Sequence, residues 1–183
     1  MRRVIFVVLF VGMLSGCGPS PKEVMSAIDA LDRGFDATMK DGVKPEVHSE
    51  YINKADVTYT SEDKTIVHNM VLFFDTDTEE LKVTGDCTFT DYQDATSGYT
   101  VNGTMKYTVY GDTKANDDSM YGDVDSRFSF DGGKIKELNF TVSSSEGGVE
   151  KYTMTANGKK IDIESWDKMF NMFDSLRNRR GSR

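Results

Sequence analysis

Few side chains in this chain of 183 residues are placed so that chemistry could use them. There are two cysteines, Cys17 and Cys87, and two histidines, His48 and His68. The histidines stand in no metal-ligand spacing. No Gly-x-Ser-x-Gly elbow, His-Glu-x-x-His helix or phosphate-loop pattern occurs. Asp75, Asp77 and Glu79 alternate as at the start of a calcium loop, but Glu80 stands where that loop needs glycine. A solvated hairpin loop is the expectation there. Asp112, Asn116, Asp117, Asp118, Asp123 and Asp125 crowd residues 112–125; an acidic loop is expected, with weak calcium binding as the alternative. No catalytic, cofactor or metal residue is nominated, and the chain is not expected to be an enzyme. Cys87 lies between Val83 and Phe89 on the apolar side of an alternating pattern and reads as a small buried hydrophobe. His68 reads as a histidine on a strand face.

Cys17 is different. Arg2 and Arg3 precede an apolar run, residues 4–14, and the run ends in Leu14-Ser15-Gly16-Cys17. That order is a charged start, an apolar stretch, small residues and a thiol. As a helix the span 4–16 reaches roughly 20 Å, short of the roughly 30 Å hydrocarbon core of a bilayer, and the apolar run fits the h-region of an export signal. The segment resembles a bacterial lipoprotein signal with its lipobox. The resemblance implies that Cys17 receives a diacylglyceryl group, that the chain is cut before it, and that the new amino group is acylated. The lipid on Cys17 then holds the protein to a membrane of the cell envelope. Gly18, rather than Asp, follows Cys17; in a Gram-negative cell this implies the outer membrane. The resemblance covers only the first 17 or so residues.

The organisation expected is a signal at 1–16, a lipidated tether at 17–20 and a single domain at 21–183. The formal charge of the chain is −8, and loss of Arg2 and Arg3 takes it to −10. An acidic chain without a basic groove excludes nucleic acid as an expected partner. The one basic cluster, Arg177, Arg179, Arg180 and Arg183, lies at the extreme C-terminus. A single thiol besides Cys17 leaves no internal disulfide to form.

Ser20-Pro21-Lys22-Glu23 reads as a helix start, with a cap, a proline at the first helical position and a glutamate to complete a capping box. Val24, Ile28, Leu31 and Phe35 follow at helical spacing, flanked by Ala27 and Met39, so a helix is expected over 21–40, ending at Gly42. Residues 42–55 give no clear period. From Val57 to Ile163 the period is two. Strands are expected at 56–60, 65–74, 80–92, 98–111, 124–130, 135–143, 149–156 and 159–164. Short connections imply an antiparallel meander.

Phase separates the two Asn-Gly pairs. A two-residue turn at Asn157-Gly158 sets Ala156 against Lys159 and Met154 against Ile161, so the apolar faces coincide. The same turn at Asn102-Gly103 would put Val101 on a face with Thr104 and Lys106, so that pair is expected inside a long strand. Folding the loop at 94–97 then sets Phe89 opposite Val101, Cys87 opposite Gly103 and Gly85 opposite Met105. Glycines inside long strands mark bends, and a strongly curved sheet is expected there. Ser165 can cap a final helix bearing Trp166, Met169, Phe170, Phe173 and Leu176, expected to cover the sheet.

The fold class expected is α+β: a curved antiparallel meander of seven or eight strands, an open barrel or half-barrel, with an N-terminal and a C-terminal helix. The function expected is that of a non-enzymatic envelope lipoprotein without cofactor or metal. It either binds an apolar or lipidic ligand between sheet and helices, or displays strand edges and acidic loops to an envelope protein.

Overall fold

The structure is a computed structural model, and it describes residues 19–38, 43–78, 80–112, 120–145 and 148–161. One helix, α1 (Pro21–Thr38), precedes nine strands: β1 (Glu46–Tyr51), β2 (Lys54–Thr60), β3 (Ile66–Asp75), β4 (Glu80–Asp94), β5 (Tyr99–Asp112), β6 (Met120–Asp131), β7 (Glu137–Ser145), β8 (Gly148–Ala156) and β9 (Lys159–Lys160). Each strand pairs antiparallel with its neighbours in the chain, and β1 and β9 are the two edges of one open sheet. The expected α+β class is corrected: the described chain is mostly β, one nine-stranded open antiparallel sheet carrying one helix. The difference arises partly at β1, which lies in the stretch without a clear period. Its side chains Glu46, Val47, His48 and Tyr51 are exposed, so neither face imposes alternation. The final helix expected from Ser165 lies outside the described residues, as does the expected helix end at Gly42.

Helix α1 begins as its residues dictate. The Ser20 backbone N–H donates to the Glu23 carboxylate at 2.7 Å, and the Ser20 carbonyl accepts from the backbone of Glu23 and Val24. Val24, Ala27, Ala30 and Leu31 are buried, and Ile28 and Phe35 pack against the same core. The helix lies across one end of the sheet, the end with the loops at 61–65, 95–98 and 132–136 and the turn at 157–158. Its first turn meets the β6–β7 loop, where Lys134 Nζ lies 2.7 Å from Glu23. Its last turns reach β3 and β4, where a Cβ on Gly34 would stand 2.3 Å from the Phe89 ring. Only glycine lets the helix backbone sit this close to the sheet.

A buried ion pair holds the helix in that seat. Arg33 donates through Nε and Nη2 to the two carboxylate oxygens of Asp94, at 2.7 and 2.6 Å. Asp94 is 3% exposed. It also accepts from the Ser97 backbone N–H at 2.9 Å and from the Ser97 hydroxyl. The same carboxylate therefore shapes the β4–β5 turn and fastens the helix.

The turn at Asn157-Gly158 is as expected. Both residues have positive φ, 51° and 73°, Ala156 pairs with Lys159, and the Ile161 N–H bonds the Met154 carbonyl at 2.8 Å. Asn102-Gly103 lies inside β5, also as expected. The β4–β5 register differs by two residues from the expectation: Phe89 faces Gly103, Cys87 faces Met105 and Gly85 faces Tyr107. Two features cause the shift. β4 runs on to Asp94, which pairs with Tyr99 across a four-residue turn, and a bulge separates Phe89 from Tyr92. Asn102 braces that bulge, accepting from the Asp91 N–H at 2.8 Å and donating to the Asp91 carboxylate at 3.0 Å. A shift of two preserves which face each residue occupies.

Because Arg33 donates to it most strongly and Ser97 adds its own bonds, Asp94 titrates well below the usual carboxylate range although burial opposes this. A carboxyl with a lowered folded pKa stabilises the fold above its unfolded value, and that stability is lost as pH falls towards the folded one. Asp94→Ala should cost about 3 kcal/mol, the lower end for breaking a buried pair, since Arg33 is partly exposed. Urea unfolding at neutral pH measures this. In the wild type the same contribution should fade below about pH 4, and the variant should lack that part of the acid slope.

Candidate functional site

The inner face of the sheet, the face that meets α1, is arranged in cross-strand rows. The row nearest the helix contains Ile66, Phe89, Phe128, Leu138 and Ala156, none more than 2% exposed. The next contains His68, Cys87, Met105, Ser126, Phe140 and Met154, none more than 9% exposed. Beyond it burial falls. In the third row Val57 and Val142 are still buried while Met70, Tyr107, Val124 and Tyr152 are half-buried, as are Leu72, Val83 and Val109 in the fourth and Phe74 and Leu81 in the fifth. The apolar surface continues along the strands past the reach of the helix.

A small polar group marks the boundary between the two regimes. His68 Nε2 and the Tyr107 hydroxyl lie 2.7 Å apart, with the rings edge to face. Phe35 of α1 packs edge-on against His68. Gly85 makes room for Tyr107 to lie over β4, since a Cβ there would come within 2.5 Å of the tyrosine ring and hydroxyl. His68 Nδ1 has no hydrogen-bond partner among the described residues. Burial pushes the His68 pKa down, against a smaller pull from Asp86, so the imidazole is neutral at pH 7. Burial pushes Tyr107 up, and electrostatic repulsion from Asp86, and from Cys87 once ionised, acts in the same direction. Burial also pushes the Cys87 thiol up to about 12. A thiol so far from ionisation is a poor nucleophile at neutral pH. These groups give the face one neutral polar point.

The expectation for Cys87 agrees with this placement: it is fully buried. His68 is on a strand face as expected, though on the inner one and tied to Tyr107. His48 stands on exposed β1, 2.8 Å from the Thr58 hydroxyl, on the face of the sheet opposite to His68. Asp75 accepts from the backbone N–H groups of Asp77 and Thr78 at 2.9 and 3.2 Å, which makes a turn of that stretch. Asp123 and Asp125 alternate on the outer face of β6, and residues 113–119 lie outside the described residues. Among the described residues no group of three His, Cys, Asp or Glu side chains is arranged to hold a metal ion. Cys17 and the stripe from Trp166 also lie outside them. Among the described residues no helix is long and apolar enough to cross a membrane.

Sequence reasoning missed two features. One is Tyr107 as the partner of His68; their separation of 39 residues leaves no local signal. The other is the far end of the sheet, where Tyr51, Ile52 and Phe73 are exposed around the β1–β2 turn. On the outer face nearby, Lys82 lies over the Tyr110 ring at 5.4 Å and Tyr110 stacks on Tyr121.

No family model matches the chain, and comparison with curated proteins and solved structures returned no match.

A base with a lowered folded pKa binds its proton more readily in the unfolded chain, so stability falls as pH drops below the unfolded value of about 6.5. His68→Gln should therefore flatten the dependence of unfolding free energy on pH below about 6.5. Thiol reagents should label Cys87 slowly in the native protein and fully in urea; equal rates would place the thiol at the surface.

Proposed function

We propose that the chain is a non-enzymatic lipoprotein of the cell envelope, anchored through lipid on Cys17, and that it holds an apolar or lipidic ligand against the inner face of its sheet. In a Gram-negative cell the anchor lies in the outer membrane. The observation that carries the ligand reading is the step in burial along the inner face. Two rows are buried beside α1, and beyond them, apart from the buried Val57 and Val142, side chains from Met70 and Tyr107 to Phe74 and Leu81 present half-buried apolar surface in continuity with the core. Covering such surface stabilises a complex by about 25 cal/mol per Å² before the costs of association. The His68–Tyr107 pair lies at the helix end of this face, where an otherwise apolar site has its polar point.

A second reading rests on a separate observation. Val47, Tyr51 and Ile52 are exposed at edge strand β1 and its turn, with Ile52 wholly in solvent. An edge strand offers unpaired backbone groups to another chain, and exposed apolar side chains add adhesion. An envelope protein bound there is the alternative.

Mass spectrometry of the protein extracted natively from membranes distinguishes the two. Bound lipid should be present in the wild type and lost, without loss of folding, in Leu72→Glu or Val83→Glu. A protein free of lipid, with a stoichiometric partner that Ile52→Asp releases, would replace the ligand reading by the edge reading. Cys17→Ala should leave the chain uncleaved or free of the membrane fraction. Normal maturation and retention in high salt would refute the anchor.

A further inference from the structure

The lysines of this acidic chain are unevenly placed. Lys134 and Lys136 belong to the β6–β7 loop, Lys159 and Lys160 to β9, and Lys22 to the first turn of α1. Asn157 clasps these elements together. Its side-chain oxygen accepts from the backbone N–H groups of Lys136 and Glu137 at 2.6 and 3.1 Å, and its amide donates to the Lys134 carbonyl at 2.9 Å. The Lys134–Glu23 pair brings the helix start to the same corner. All five lysines are exposed. Among the described residues the acidic groups beside them include Glu23, Asp131 and Glu137, with Asp131 3.3 Å from Lys136, and Asp162 follows Lys160 by two residues in the sequence. The corner therefore gathers lysines from three elements of a chain of formal charge −8.

The same corner is where the tether arrives. Residues 18–20 separate Cys17 from Pro21, and a stretch that short spans at most about 14 Å. We propose that the lysine corner formed by the α1 start, the β6–β7 loop and the β8–β9 hairpin rests on the anionic lipid headgroups of the membrane that holds the anchor. This rests on the lipid-anchored reading above. The tether brings the corner to within about a Debye length, ~10 Å, of the surface, where lysines are attracted to anionic headgroups. The opposite end of the sheet, with Ile52 and the half-buried apolar rows, then points away from the bilayer. β4, with 15 residues, separates the two ends by about 50 Å.

The test uses the full lipidated chain, reconstituted into vesicles of phosphatidylcholine alone or mixed with phosphatidylglycerol. A brief amine-acetylation pulse is read by mass spectrometry at each lysine. Lys22, Lys134, Lys136 and Lys160 should be protected several-fold in the anionic vesicles, with the protection lost at high salt, while Lys54 at the far end reacts equally in both. Lys136→Glu combined with Lys160→Glu, two exposed positions, should abolish protection of Lys22 and Lys134. Equal labelling in both vesicles, or protection of Lys54 instead, would overturn the orientation. So would equal protection by inorganic phosphate beside neutral vesicles, which would make the corner a site for free anions. A chain that does not enter vesicles at all would overturn the anchor, and the orientation with it.

Discussion

The contact between Asp94 and Arg33 governs where everything else can lie. It fixes the C-terminal half of α1 over the β4–β5 turn, and Gly34 then allows the helix backbone to descend onto Phe89. Because the pair sits at the end of β4, the helix covers one end of the inner face and leaves the other. Had the carboxylate been placed mid-strand, the sealed rows would have been in the middle and no continuous apolar stretch would remain beyond the helix. A buried ion pair contributes little net stability compared with an apolar replacement. Its contribution here is registration: two oxygens and a planar fork admit one helix position.

The chemistry of the inner face follows from that seat. Under the helix, desolvation pushes each ionisable group towards its neutral form, the imidazole of His68 and the thiol of Cys87 alike. Ser126 solves the same problem by exchanging bonds with the backbone of Phe140 across the β6–β7 pair. The outer face has no such constraint. Its rows carry Thr84, Asp86, Thr88, Thr104, Lys106 and Thr108, side chains that water satisfies.

Much of the sheet was legible in the sequence because alternation and turn chemistry are local. The phase of apolar residues around Asn157 and Asn102 separated a hairpin from a continuous strand, since a wrong choice would have turned Thr104 and Lys106 into the core. What phase cannot resolve is a shift by two. The bulge at Asp91 and the Asp94 turn moved the register by that amount; residues up to Phe89 kept their face, while the bulge brought Tyr92 into the core. β1 was illegible for the opposite reason: an exposed edge has no buried side to impose a period. Of the candidate site, the apolar floor was visible as Val83, Val109 and their alternating neighbours. The step in its burial was not, because it depends on where a helix 61 residues from Asp94 comes to rest. The weight given to a second helix led to the α+β expectation, whereas the described chain is mostly β.

The strict neighbour-to-neighbour pairing of the strands has a kinetic side. In a meander each strand needs only the one made just before it, so contacts across the sheet are short in sequence and form quickly. The helix is the exception. It emerges first from any machinery that delivers the chain N-terminus first, yet its seat is not built until Asp94 and Phe89 have found their places in the β4–β5 hairpin. During that interval Val24, Ala27 and Leu31 have no sheet to cover. Docking of α1 therefore closes over a long stretch of chain, and whatever shields its apolar stripe beforehand acts on the folding pathway and has no part in the finished fold.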